Sequence, residues 1–432
     1  MAVILRHKIG FEGLLDMRFQ SSDPKYDLNT PTFDTSLHLA NARQQAIERG
    51  LDDILIVDAD CHHYETDNLE PILQMIDDPA FRQVALNTYR YRGASAVFFD
   101  QPGYQDVGGR VTRYLERKGE GSRLGLTGAE RDAKQAHKWM DAFSVDYACL
   151  FPTPMLLLGL HPQVEVEVLM ARAYNRWMTE VLLPSNPRLV TMLYLPFNDP
   201  EATYAVVKEH AGKKGVAGFM VVSTRYKPVH DNAYMKTYAL IEELGVPIAF
   251  HASYHWSDQI ISQCNRFLTA HALGFTFFNA VHCSNWVING LPERFPKLNV
   301  IWIESGLSWI PWLMQRLDHD FRMRTSEAPA LRKLPSEYMR EMFYTTQPME
   351  MVSNGEALEL TMKMINAPTQ LLYASDYPHW DMDLPSTIWD LPFLTTEAKK
   401  NILGGTAQKI FNIDISHRFP AKSRSAEPVV AK

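Results

Sequence analysis

Cysteine is scarce in this chain. Only Cys61, Cys149, Cys264 and Cys283 occur among 432 residues, and none stands in a Cys-x-x-Cys pair, which excludes a disulfide framework and a cysteine-ligated zinc site. They read as small buried hydrophobes of a reducing compartment. No run of eighteen apolar residues occurs, so no membrane span is indicated. The leading Met-Ala-Val-Ile-Leu-Arg-His-Lys lacks an apolar core followed by a small-residue cleavage site. No strand-like run is followed by G-x-G-x-x-G or G-x-x-x-x-G-K-[ST], which removes the usual nucleotide cradles. Basic charge is also short: 43 Lys and Arg against 50 Asp and Glu give a net charge of -7 and a pI near 6.1. Such a chain has no general attraction to nucleic acid or an anionic membrane. A cytoplasmic protein handling a small molecule is what these absences leave.

What is present is a sizeable core, with 46% hydrophobic residues, and one abrupt change of polarity. Ile54-Leu55-Ile56-Val57 reads as a fully buried strand, and Asp58-Ala59-Asp60-Cys61-His62-His63-Tyr64-Glu65 follows at once. Side chains alternate along a strand, so Asp60 and His62 share one side and Cys61 and His63 the other. Asp60-x-His62 is then the natural pair to grip one cation, although a capped strand end with solvated Asp and His would use the same residues.

Further strand-like runs lie at 145–151, 189–195, 216–222, 246–250, 299–303, 343–346 and 370–374. Helical periodicity fills the intervals at 164–183, 199–211, 232–244, 308–324 and 349–364. Strand and helix in alternation imply parallel pairing with right-handed crossovers. With the opening strand the runs number eight, which predicts an α/β fold of the (β/α)₈ TIM-barrel type whose active site is built at the C-terminal strand ends. A doubly wound open sheet is the competing fold. Residues 1–50 form an N-terminal extension with a short helix near 37–49, residues 51–415 the barrel domain, and residues 416–432 a disordered tail. The interval 66–143, rich in aromatics and arginine, is an insertion after the first strand that suits a cover over the site, an extra subdomain or a subunit contact.

The strand ends collect Asp60 and His62, Thr153, Arg225, His251, Glu304, Thr346 with Gln347, and Asp376. Two imidazoles and two carboxylates, Asp60, His62, His251 and Asp376, suit one divalent cation of zinc, manganese, cobalt or iron type with an open position. Arg225 could clamp a substrate carboxylate bidentately, and His255 and Trp256 could line the pocket; a rim arginine and loop-packing side chains are the bland readings. His282 could supply an imidazole or simply pack its helix.

Ala171-Arg172-Ala173-Tyr174-Asn175-Arg176-Trp177, Leu195-Pro196-Phe197-Asn198-Asp199-Pro200-Glu201, Glu243-Leu244-Gly245-Val246-Pro247, Gly290-Leu291-Pro292-Glu293-Arg294-Phe295-Pro296 and Ala374-Ser375-Asp376-Tyr377-Pro378-His379 together resemble the amidohydrolase superfamily. The likeness is to its amidohydrolase-related group, which includes aminocarboxymuconate-semialdehyde, γ-resorcylate and 5-carboxyvanillate decarboxylases, and it spans about Asp58 to Ile413. In that group the first-strand motif is His-x-His or Glu-x-His, and Asp60-x-His62 looks like a carboxylate version. His251 and Asp376 match the later metal His and Asp, the Asp often serving also in proton transfer. The fourth strand ends in Ser223, with Lys227 too far along to bridge two metals, so the resemblance implies a mononuclear site. Family decarboxylases often carry a Gly-His-x-Gly histidine after strand six, where this chain has Glu304-Ser305-Gly306. His282 lies on a segment similar to a His-bearing helix of the resorcylate-type enzymes.

The resemblance implies a metal-dependent decarboxylase of a small aromatic or conjugated carboxylic acid, with Asp376, Glu304 and His282 as candidate catalytic groups. The ion would be zinc, with manganese as the second choice, and the protein a homodimer or higher homo-oligomer. A hydrolase opening a lactone, amide or carbon-carbon bond shares the same ligands and is the alternative.

Overall fold

The aliphatic run at Ile54 leads into the first strand and does not form it. In the computed structural model, which describes residues 35–93, 128–255, 257–350, 355–379 and 381–416, Leu51–Asp53 is a 3-10 turn and strand β1 is Val57–His63. The polar residues expected just past the strand are therefore inside it, all buried. They are tolerated because neighbours satisfy them: the Asp58 carboxylate accepts from the amides of Asp60 at 3.2 Å and Ser375 at 2.9 Å. A register irregularity against the next strand between Asp58 and Cys61 turns the chain just where the ligand pair begins.

The remaining strands fall within a few residues of their expected places. They are β2 Tyr147–Pro152, β3 Leu189–Tyr194, β4 Val216–Val222, β5 Ile248–His251, β6 Val300–Ile303, β7 Phe343–Thr345 and β8 Leu371–Leu372. All eight pair in parallel and in chain order. The barrel closes through Ala59 N to Tyr373 O at 2.8 Å, His62 N to Tyr377 O at 2.7 Å and Asp376 N to Asp60 O at 2.8 Å. β8 is short because the backbone from Tyr373 onward turns to β1 and to Ile402 O for its partners.

Helices cover the barrel: α1 Thr35–Glu48, α2 Leu69–Gln74, α3 Pro79–Arg92, α4 Gly128–Phe143, α5 Val164–Trp177, α6 Pro200–His210, α7 Met235–Leu244, α8 Phe267–Ile288, α9 Trp309–Met323 and α10 Gly355–Met364. Local chemistry starts several of them. Asp78 caps α3 through Phe81 N, Asp199 caps α6 through Glu201 N and Ala202 N, and each cap is followed by proline at the first turn. Between β1 and β2 the described residues form helices and no strand. Residues 94–127 of that interval, the expected tail from 417 and residues 351–354 ahead of α10 lie outside the described residues.

Candidate active site

β1 does what its alternation requires. His62 faces the barrel interior, with its ring 5.0 Å from that of His251 and 6.1 Å from Phe151. His63 faces the opposite way, toward α5, stacking on Trp177 and reaching the Tyr174 hydroxyl at 2.8 Å. β5 delivers His251, β6 leads to Glu304 and the turn after β8 carries Asp376 and His379. Asp60, His62, His251 and Glu304 each offer one ligand atom within 4.8 Å of the others, as do His62, Asp376 and His379.

The tautomers decide what this cluster can hold. His62 Nδ1 donates to Pro152 O and His251 Nδ1 to Ala252 O, both at 2.8 Å. In its neutral form each ring therefore turns a lone pair on Nε2 toward carboxylate oxygen: 3.3 Å from His62 to Asp60 and to Asp376, and 3.3 Å from His251 to Asp60. Acceptor against acceptor at this range is repulsive unless a cation lies between them. His62 Nε2, Asp60 Oδ2, Asp376 Oδ2 and Glu304 Oε2 are moreover buried without a hydrogen-bond partner. Backbone-anchored imidazoles and unpartnered carboxylate oxygens are the donor set and supporting shell of a metal-binding site, so these residues fit a divalent ion.

Glu304 and Asp376 both adopt left-handed backbone, with φ of 59° and 55°, a conformation non-glycine residues hold at a cost and which gathers at functional sites. The Glu304 amide is fixed by Thr345 Oγ1 at 3.0 Å. Its carboxylate lies 3.6 Å from His251 Nδ1. Burial, then the Asp376 and Asp60 charges, pushes the Glu304 carboxyl well above its ordinary range. Burial likewise raises Asp376. For Asp60 burial works upward, and positive charge at the two rings is what outweighs it and holds the carboxyl low, the charge a bound cation would supply when the rings are neutral. Acid and base character are thus separated within one cluster.

His379 received no role in the sequence reading. Its Nδ1 lies 2.7 Å from Asp376 Oδ1, its ring 4.3 Å from that of His62, and Nε2 3.3 Å from Thr153 Oγ1. The signal was its place three residues after Asp376. Glu65 was also passed over. Fully buried, it accepts from Thr153 N at 3.0 Å and Met155 N at 2.6 Å, tying the end of β1 to that of β2, and burial lifts its pKa to about 7.

Three of the sequence candidates do not join the cluster. Arg225 donates to Val222 O at 2.8 Å and Ser223 O at 3.1 Å, its guanidinium 5.0 Å from the Phe197 ring centre and 5.6 Å from that of Phe250. Phe250 stacks on Trp302 on the helix side of the strands, which puts the guanidinium in that layer. His282, on α8, bonds Ser223 O at 2.7 Å. His255 is buried, with Nδ1 2.5 Å from Ser257 Oγ, and burial lowers its pKa to about 4. Trp256 lies outside the described residues. Ser223 ends β4 and bonds His251 O at 2.8 Å, so no lysine stands at that strand end. A cavity of ≈ 50 Å³ sits between β1 and α4, lined by His63, Asp67, Arg131, Asp132 and Trp139 and reaching His62 and Tyr377 at the end of the barrel strands.

An eight-stranded parallel barrel with imidazoles and carboxylates converging at its C-terminal strand ends is the framework of a metal-binding (β/α)₈ protein. The chain belongs to the amidohydrolase family, whose model matches residues 58–413. Solved structures share the fold. One is 5-carboxyvanillate decarboxylase from Sphingomonas paucimobilis, with 22% identity, 84% of this chain and 100% of that chain covered, and a TM-score of 0.60. Another is 2,6-dihydroxybenzoate decarboxylase from Rhizobium, with 18% identity, 83% and 98% coverage and a TM-score of 0.56. A third is 5-carboxyvanillate decarboxylase from Novosphingobium aromaticivorans, complexed with manganese and 4-hydroxy-3-methoxy-5-nitrobenzoic acid, with 17% identity, 84% and 97% coverage and a TM-score of 0.60. No curated protein matches the chain.

Proposed function

We propose that this protein is a metal-dependent decarboxylase of a small aromatic or conjugated carboxylic acid. The observation that carries the reading is the buried cluster itself, in which lone pairs of His62 and His251 face carboxylate oxygens. The shared fold with aromatic-acid decarboxylases supports the choice of reaction. Asp60, His62, His251 and Asp376 would hold one divalent ion, zinc in our reading, with manganese the alternative that a neighbour's complex supports. When bound, the ion supplies positive charge that orients the acid and stabilises negative charge developing on it.

Cleavage of the bond to the carboxylate leaves its electron pair on the ring carbon, which must gain one proton as CO₂ departs. Glu304, raised by burial and by Asp376 and Asp60, is the group that keeps a proton to give. Asp376, buried and held at 2.7 Å by His379 Nδ1, would regain a proton through that ring. His255 and Trp256 remain our candidates for lining the substrate, and Arg225 and His282 for acting on it only through the β4 end. The four described cysteines are free, which supports a reducing compartment such as the cytoplasm, and the protein acts as a homodimer or higher oligomer in this reading.

Glu304-Ser305-Gly306 at the β6 end favours one second reading, a hydrolase in which Glu304 or Asp376 serves as base toward water. Metal-replete protein incubated with hydroxybenzoates, heteroaromatic acids and muconate-type lactones separates the two. Stoichiometric CO₂ release with the change in ring absorbance supports the decarboxylase; an absorbance change without CO₂ establishes the hydrolase.

A further inference from the structure

The Arg225 guanidinium is only half used. Nη1 donates to Val222 O at 2.8 Å and Ser223 O at 3.1 Å, while the aromatic rings of Phe197 and Phe250 stand 5.0 and 5.6 Å from the guanidinium carbon. Nε and Nη2 are buried without a hydrogen-bond partner. These two nitrogens share one edge of the plane, and their parallel N–H groups are the fork with which arginine grips an anion side-on. Neighbouring groups do not answer it. Glu167, on α5, acts on Arg225 through its charge, yet its oxygens are taken by the Tyr194 hydroxyl at 3.0 Å and Asn198 Nδ2 at 2.9 Å. Burial also holds the Glu167 carboxyl up at about 7, so it is an incomplete counter-charge at neutral pH. His282 shares the Ser223 carbonyl at 2.7 Å, and burial, with the Arg225 charge adding to it, pushes its pKa well down. It is a neutral neighbour. Burial draws Arg225 itself down to about 10, the mark of a cation with too little around it.

We propose that the Nε and Nη2 edge of Arg225 binds one small monovalent anion, of halide or formate size, on the helix side of β4. A buried cation is costly until a counter-charge joins it, and buried donors left unpaired in a folded chain are where a bound ion or water belongs. Charge fixes the valence. The fork belongs to a single cation with a neutral imidazole beside it, so one negative charge balances it and a second would be buried uncompensated. Surroundings fix the kind of anion, since the Phe197 and Phe250 rings offer no hydrogen bonds to replace a tight hydration shell. Weakly hydrated ions lose least on entry. The arrangement mirrors the barrel interior, where carboxylate oxygens are the unpaired atoms and a cation is the missing charge. The inference rests on no part of the catalytic reading.

Bromide is the probe, with melting temperature and anomalous scattering as the readouts. Protein exchanged into gluconate and then brought to about 200 mM bromide at constant ionic strength should melt about 2 °C or more higher, with a shift that saturates as a single site does. Wild-type crystals soaked in bromide should show anomalous density against Nε and Nη2 of Arg225. Arg225→Lys keeps the positive charge and removes the fork, so it should weaken the bromide effect at least tenfold and lose the density. If that variant does not fold, the soaked wild-type crystal still decides. Formate that displaces bromide from the same edge supports the proposal and makes the oxyanion the tighter ligand. Bromide bound elsewhere with none at Arg225 overturns it, as does an edge that holds water alone in bromide. A melting shift that Arg225→Lys keeps in full overturns it too, because the fork is then not the site.

Discussion

Two buried polar assemblies lie on opposite sides of the barrel wall, one at β1, β5, β6 and β8 and the other at α5 and the ends of β3 and β4. On the helix side, acceptors meet donors. Glu167 takes the Tyr194 hydroxyl at 3.0 Å and Asn198 Nδ2 at 2.9 Å, Asn198 Oδ1 takes Tyr226 N at 2.9 Å, and the Arg225 cation rests on two carbonyls and two aromatic faces. Inside the barrel, acceptors meet acceptors, and four ligand atoms have no partner. Burial is equal in the two places. The groups left without a partner differ in kind: inside the barrel they are acceptors facing one another, an arrangement built for a cation, whereas on the helix side every acceptor named is paired and only the donor nitrogens Nε and Nη2 of Arg225 are not.

The comparison breaks most easily from the inside. His251→Ala removes a lone pair that no neighbour can replace, so metal content should fall well below the one ion per chain expected of the wild type, and turnover should drop by about a thousandfold or more. Elemental analysis beside the rate measurement checks it. Two tightly held ions in the wild type would show that the Asp376 and His379 side forms a separate site.

Glu304→Gln comes next. If the carboxyl donates the proton, the variant keeps its metal and loses about a hundredfold in turnover, the usual scale for a general acid. A variant that keeps its rate but melts earlier would move Glu304 to the structural class, leaving the proton to Asp376.

Crossing to the helix side, Arg225→Met should change kcat/KM less than about threefold while costing about 1–3 kcal/mol of stability, the scale of hydrogen bonds made by a charged group. Denaturant melts and steady-state kinetics on the same preparation decide the matter. A large rise in KM for the carboxylate substrate, with stability intact, would restore Arg225 as a substrate clamp and erase the distinction between the two assemblies.

How far the sequence reached follows the same line. Period-two and period-3.6 patterning exposed all eight strands and their order, because burial on both faces of a parallel sheet leaves a continuous aliphatic signature. Asp60, His62 and His251 were legible since alternation alone fixes their side. β1 was misplaced by three residues at its start because hydrophobicity cannot report that Ser375 N satisfies Asp58. Arg225 looked like a site residue because it lies near the end of β4 in the chain, and His282 because its segment resembles a His-bearing helix of the resorcylate-type enzymes. Nothing local shows that the Arg225 guanidinium folds back onto the carbonyls of Val222 and Ser223, or that the His282 ring bonds Ser223 O. His379 was overlooked for the converse reason: the left-handed turn at Asp376 that brings its ring over His62 has no sequence signature outside glycine.

The smallest effect gives the sharpest contrast, and it is a slope. Burial raises the Glu167 carboxyl from 4.5 to about 7, with Asn198 and Tyr194 pulling the other way. Between those values the unfolded chain has released a proton that the folded chain retains. Stability from this group is therefore complete below about pH 4.5 and is lost as pH rises through about 7, by about 3 kcal/mol in all. Glu167→Gln abolishes the titration. The variant also sets its amide nitrogen against Asn198 Nδ2, which adds a constant penalty, so the offset between the two proteins is uninformative and the pH dependence of their difference is the readout. Asp58 and Glu65 titrate alike in both and cancel. Denaturant melts from pH 4 to 8 should show the wild type losing its advantage across that window while the pH–rate profiles superimpose. A flat difference would mean that Glu167 is fully charged and satisfied at neutral pH. A shifted pH–rate profile would couple it to the metal cluster and dissolve the boundary between the two sides of the strands.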